Sequence, residues 1–187
     1  GETRYSYTPT GQLERAEYPD GRVLWRKSDQ TGNLYPDPDR KLRRYLGGGR
    51  LEQDGEGHCE YDADGNRTER YLGTGRWLDG KKDRWRYRWN ADGSLAKVVR
   101  PDKREVEFTY DALGRRLSKS FGTTVTRWVW NGNVPLHQWK QHREYSVMED
   151  RWITDTERRN MTVWRFDEES FVPVAMRKEG RSYSILT

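Results

Sequence analysis

The sequence predicts an all-β chain of consecutive antiparallel β-hairpins, and three observations carry that expectation. A short phrase recurs, turn residues fall at regular intervals, and the segments between turns alternate in character. The phrase is an aromatic, three mostly polar residues, a glycine, one further residue and usually an aliphatic. It runs Tyr7 to Gly11 to Leu13, Trp89 to Gly93 to Leu95, and Tyr110 to Gly114 followed by Arg115, Arg116 and Leu117, with a looser copy from Tyr61 to Arg67. Gly11 and Gly32 lie 21 residues apart, as do Gly93 and Gly114, whereas Gly32 to Gly65 spans 33 and Gly65 to Gly93 spans 28. A fixed period interrupted by insertions marks a repeat architecture.

Each 21-residue period holds a second turn near its midpoint, at Pro19-Asp20-Gly21 in one and Pro101-Asp102-Lys103 in the other. Turns every ten or eleven residues leave strands of about six residues, the usual length. Glycine supplies positive φ without steric cost, and Asp or Asn bonds the local backbone. Asp64-Gly65, Asp79-Gly80, Asp92-Gly93 and Asn131-Gly132 all suit hairpin turns.

Between turns the side chains alternate with period two. Arg84-Trp85-Arg86-Tyr87-Arg88-Trp89 places aromatics on one face and arginines on the other, and Glu105-Val106-Glu107-Phe108-Thr109-Tyr110 repeats the pattern with carboxylates outside. Trp128-Val129-Trp130 and Thr162 to Phe166 look similar. Leu, Ile, Val and Phe supply only 30 of the 187 residues, about 16%, which alone leans toward disorder, but nine Trp and eleven Tyr tip the balance toward a packed sheet. Each buries roughly 150–250 Å² when packed. The expected core is therefore thin, with an aromatic face packed and the other solvated.

Length suits a single domain over residues 1–187. The basic stretch from Arg40 to Arg44 and Gly47-Gly48-Gly49 mark a loop inside the array. The lone Cys59 excludes an intramolecular disulfide, and beside His58 it makes no zinc motif. No apolar run approaches the ~20 residues that cross a bilayer as a helix, and no basic-then-apolar leader precedes the first repeat. The chain begins at Gly1 rather than Met, as an excised piece would. Net charge is +5, with 35 basic and 30 acidic residues interspersed. A nucleic-acid surface needs a basic patch with stacking aromatics, and only residues 84–89 qualify; strand alternation sends their two residue types to opposite faces.

The phrases resemble the RHS or YD-repeat family, named for the Tyr-Asp pair seen here at Tyr61-Asp62 and Tyr110-Asp111. Residues 110–117 are nearly a consensus copy, and the clearest repeats cover 5–34, 61–72 and 85–121. Thr126 to Asn133 with Leu136, then Trp164 to Ala175 and Tyr183-Ser184-Ile185-Leu186-Thr187, are similar to the C-terminal part of a bacterial RHS core, so 126–187 reads as that segment. The resemblance implies antiparallel strands winding into a curved, spiralling sheet, a segment of a shell. In the family such shells enclose a C-terminal toxin in polymorphic toxins and secretion-system effectors. The expected function is structural and non-enzymatic, with the rest of a shell and its toxin cargo as partners and self-association through exposed strand edges. Secretion, delivery or cell-surface display follows from the same resemblance. The family's aspartate-based autoproteolytic motif is not in this sequence, so that activity is not carried over. A second reading is a surface module using Trp85 or Trp128 to recognise glycans or a protein.

The remaining polar clusters read as structure rather than as sites. Asp62, Asp64 and Asn66 have the first three ligand offsets of a calcium loop, but Arg67 and Gly73 stand where Gly and Glu are needed, so a hairpin turn is expected. His137 and His142 flank Trp139 without a recognised ligand spacing, and five apart they fall on opposite strand faces. Glu149, Asp150, Asp155 and Glu157 read as a solvated acidic loop rather than a catalytic pair. Asn66 and Asn160 sit in glycosylation sequons that read as coincidental. No catalytic, cofactor or metal residues are expected.

Overall fold

The computed structural model describes residues 1–73, 83–167 and 170–185. The Asp79-Gly80 turn, Glu168, Glu169, Leu186 and Thr187 lie outside them. The described residues form an all-β protein of nineteen strands, almost all joined to their sequence neighbours as antiparallel hairpins. The chain divides into two compact units, Gly1–Arg86 and Tyr87–Thr187.

In the first unit, β1 (Arg4–Tyr7), β2 (Leu13–Glu17) and β3 (Val23–Trp25) make a three-stranded sheet. β4 (Lys27–Ser28) and β5 (Leu34–Tyr35) make a separate pair, stopped by Pro36 and Pro38, which lack the N–H a ladder needs. A larger sheet begins with β6 (Arg44–Leu46), β7 (Arg50–Gln53), β8 (Gly57–Tyr61) and β9 (Arg67–Leu72) in sequence order. β9 pairs with the start of β10 (Arg84–Trp89), the strand that carries the unit boundary.

The second unit continues with longer hairpins: β11 (Leu95–Val99), β12 (Glu105–Tyr110), β13 (Arg116–Phe121), β14 (Thr124–Asn131) and the thirteen-residue β15 (Val134–Ser146). β16 (Arg151–Thr154) pairs with the far end of β15, while β17 (Arg159–Phe166) pairs with its middle, followed by β18 (Pro173–Lys178) and β19 (Arg181–Ser184). From β6 to β19 the large sheet counts fourteen strands.

One turn recurs seven times among the described residues, beginning at Thr8, Tyr18, Asp29, Asp62, Asn90, Arg100 and Asp111. In each, the first residue donates its N–H to the carbonyl four residues on at 2.8–3.0 Å and accepts from the N–H three residues on at 2.9–3.2 Å. That third-on residue has positive φ: Gly11, Gly21, Gly32, Gly65, Gly93 and Gly114, with Lys103 at φ 62 in the remaining turn. The geometry is a type I turn closed by a left-handed residue, which leaves a bulge in the hairpin. Register shifts beside Tyr7, Tyr61 and Tyr110 mark that bulge.

Packing departs from the aromatic-core expectation. Rungs join Lys97, Glu107, Ser120, Val125 and Gln141 in one row, and Thr109, Ser118, Arg127 and Trp139 in the next. Residues across a rung share a face. That face, rich in small and polar residues, holds the buried Ser118, Ser120, Val125, Trp139 and Arg143. The aromatic face stays half-buried because arginines roof it: Arg116 lies 4.7 Å from the Phe108 ring and Arg104 4.2 Å from Phe121. Planar guanidinium groups cover aromatic rings while their outer edges stay hydrated. No helix among the described residues is long and apolar enough to cross a membrane.

Candidate functional site

The chemistry of this chain is concentrated where one hairpin meets the next. An aromatic standing four residues before a turn glycine reaches back to the preceding strand. The Tyr45 hydroxyl donates to the Leu34 carbonyl at 2.6 Å, Tyr61 to Leu51 at 2.8 Å and Tyr110 to Leu95 at 3.1 Å. In all three the acceptor stands two residues after a positive-φ glycine, namely Gly32, Gly49 or Gly93. Trp130, two residues before Gly132, also reaches back with its indole N–H, donating to the Arg116 carbonyl, two after Gly114, at 2.8 Å. Buried Tyr and Trp need a partner for their polar tips, and a strand carbonyl beside the bulge provides it.

An Asp at the first position closes the turn itself, and at Tyr61-Asp62 and Tyr110-Asp111 it is the Asp of a Tyr-Asp pair. Asp29, Asp62 and Asp111 each accept, through Oδ1, the N–H four residues on, at 2.9, 2.8 and 2.9 Å. Where the turn opens on Tyr18, Asn90 or Arg100, an Asp at the third position accepts instead, as Asp20, Asp92 and Asp102 do from Arg22, Ser94 and Arg104. Burial would raise the Asp111 carboxyl, but the N–H and guanidinium of Arg115 hold it below the usual carboxylate range.

A second focus lies at the end of the β13–β14 hairpin. Arg143, only 8% exposed, donates from Nε to the Gly122 carbonyl at 2.9 Å and pairs with Glu107 at 3.2 Å. Its guanidinium lies 4.4 Å from the Trp152 ring. Lys97 pairs with the same Glu107 at 3.1 Å and with Glu105 at 2.7 Å. Burial pushes the Glu107 carboxyl up, yet the bonds from Lys97 and Arg143 outweigh it and the pKa ends below its ordinary value. Lys97 is raised in turn, chiefly by Glu105. This arrangement fastens strands; nothing in it offers a nucleophile with an adjacent base.

The candidates from sequence are dispersed. Asp62 and Asn66 are spent on one turn, where the Asn66 side-chain amide also donates to Asp62 Oδ2 at 3.3 Å. His137 is half-buried and His142 exposed on β15, their positions alternating across the strand. Asp155 accepts from the His142 N–H at 3.1 Å and pairs with Arg159 at 2.6 Å, Glu157 pairs with Arg159, and Glu149 pairs with Arg151. Asp150 accepts from the Tyr145 hydroxyl. Asn160 is exposed on β17 with φ 53. On β10, Arg84 pairs with Glu69, while Arg86 and Arg88 are exposed. Trp128 spends its indole N–H on Gln138 at 3.0 Å. Among the described residues, no three His, Cys, Asp or Glu group where they could hold a metal ion. Arg143 and Glu107 escape sequence reasoning because β12 and β15 are distant along the chain and only the register brings them together. The apolar Val147-Met148 pair, flanked by polar residues, is a signal that the sequence does carry.

Comparison with known proteins agrees with the repeat reading. The family model described as Teneurin YD-shell matches residues 1–187. A double-stranded DNA deaminase toxin A of Burkholderia cenocepacia (strain H111) is 34% identical over 146 residues, covering 71% of this chain. The chain spans about a tenth of that relative's length, 10%. Solved structures similar to this chain include a Photorhabdus luminescens Tc holotoxin pore, 12% identical with TM-score 0.48, matched over 95% of this chain and 9% of its own. A TcdB2-TccC3 structure without its hypervariable C-terminal region is 15% identical with TM-score 0.43, matched over 96% of this chain and 11% of its own.

Proposed function

Because the chain belongs to the Teneurin YD-shell family, we propose that it serves as a length of shell wall enclosing a C-terminal toxin in a bacterial polymorphic toxin or secretion-system effector. The observation that carries this reading is the aromatic tether, repeated at Tyr45, Tyr61, Tyr110 and Trp130, which joins a strand to the one before it and commits side-chain chemistry to cohesion. The mechanism is steric: ladders and tethers keep neighbouring strands in contact, so large molecules do not pass between them. Residues 1–187 contribute as one repeat-bearing stretch, with the remainder of the shell and its cargo as partners. We assign no catalytic step to it, and none of the deaminase chemistry in its relative's name. Delivery outside the producing cell or display at its surface belongs to the same proposal.

The test uses the parent protein that carries this segment. Lys119→Pro removes a ladder N–H from the middle of β13, a strand paired on both sides. Protease should then cleave cargo that it spares in the unaltered protein. Cargo that stays equally protected, while circular dichroism reports loss of strand, would overturn the wall reading.

A further inference from the structure

β15 outruns its neighbour. Its register with β14 ends at His142↔Thr124, and the Arg143 N–H donates to the Thr123 carbonyl at 2.8 Å. Beyond that turn, residues 144–146 pair only with β16 among the described residues, in an unbroken register from Arg143↔Thr154 to Ser146↔Arg151. The product is a two-stranded ribbon extending about 10 Å past the Gly122–Thr123 turn, at roughly 3.3 Å per residue. Two strands alone are marginal in water and gain from a third.

The base of this ribbon is fixed and its tip is bare. Arg143 covers Trp152, and the Tyr145 and Trp152 rings meet edge-on at 5.6 Å. At the tip, Val147 is 86% and Met148 99% exposed. Backbone bonding directions alternate along a strand. Since the Arg143 N–H points away from β16, the N–H and carbonyl of Tyr145 do too, and those of Trp152 face out on the opposite edge. Among the described residues, both edges therefore offer unpaired ladder groups. Charge selects what fits them: Glu149 is neutralised by Arg151 and Asp155 by Arg159, leaving Glu144 and Asp150 without a cationic partner among the described residues.

Independently of the wall reading, we propose that this ribbon is a docking edge for an extended basic polypeptide with alternating apolar residues. Such a segment adds as a third strand through main-chain bonds, packs its apolar side chains along one face of the ribbon up to Val147 and Met148, and sets its cations against Glu144 and Asp150.

The probe is a capped peptide, Lys-Val-Lys-Val-Lys-Val, titrated into the chain by isothermal titration calorimetry. Saturable one-to-one binding is expected, weakened about tenfold or more for a Glu-Val peptide of equal length and for a Lys-Val peptide N-methylated on alternate residues. Val147→Asp with Met148→Asp, both at exposed positions, should weaken it by a similar factor. Glu144→Lys should reverse the preference between the Lys-Val and Glu-Val peptides. Equal binding of the acidic peptide, indifference to N-methylation, or indifference to the tip substitutions would overturn the proposal. So would absence of peptide binding together with tip-dependent attachment to phosphatidylcholine vesicles, which would make the ribbon a membrane contact.

Discussion

Two stretches of this chain, Gly11–Gly32 and Gly93–Gly114, have the same length and the same turn positions, and they build different structure. In and just after the later one, β11, β12 and β13 run five or six residues each within one ladder. In and just after the earlier one, the counterpart of β12 is split into β3 and β4, and the counterpart of β13 is the two-residue β5. The turns are not the cause, since both stretches make the same bonds at the same offsets. The difference follows from what comes next: Pro36 and Pro38 halt β5, so β4 finds only two rungs, whereas Arg116–Phe121 contains no proline. Local chemistry fixes the turns, and the following strand decides whether a hairpin joins a sheet.

The strongest way to break this contrast is to give the later stretch the earlier one's handicap. Lys119→Pro should cost about 3 kcal/mol or more and fragment the ladder around β13, which urea denaturation followed by far-ultraviolet circular dichroism would register. An unchanged midpoint would mean that prolines are not what separates the two stretches. Gly114→Ala comes second, with an expected loss of about 1–2 kcal/mol, because φ 76 is costly for any residue with a Cβ. Tyr110→Phe removes only the hydroxyl bonded to Leu95 and should cost about 1 kcal/mol in the same denaturation assay. Lys103→Gly sharpens the comparison from the other side. It makes the midpoint turn match Pro19-Asp20-Gly21 and should stabilise by somewhat under about 1 kcal/mol, the relief at φ 62 being partly offset by glycine's entropy. The smallest effect is acid sensitivity at Glu107. Its folded pKa is lowered, so its contribution is complete above the unfolded value of about 4.3 and fades as pH falls through the folded value. Denaturation midpoints measured from neutral to acid pH should decline less steeply in Glu107→Gln.

Much of this fold is legible in the residues. The glycines and aspartates mark the turns because turn bonds are local, spanning three or four residues, and Asp62 with Asn66 reads as a hairpin for that reason. The alternation in residues 84–89 and 105–110 identifies strands, and the Tyr-Asp phrases identify the family. Faces are harder. Which side packs depends on arginines from neighbouring strands, and Arg116 comes to cover Phe108 only once β12 and β13 are in register. Arg143 and Glu107 are joined across the end of a hairpin, a contact without local signature. The Pro36 and Pro38 signal is present in the sequence, and proline's missing donor is sufficient to read it.

The aromatic tether also bears on how such a chain tolerates change. Each tyrosine bond is addressed from one turn to the next, from four residues before a glycine to two after an earlier one, and it forms whether those glycines are 17 residues apart, as Gly32 and Gly49 are, or 21, as Gly93 and Gly114 are. A lengthened or shortened loop between two turns therefore alters its own hairpin without re-registering the others. Insertions can accumulate one hairpin at a time, and the array has a molecular grammar in which words vary in length while the joints between them stay the same.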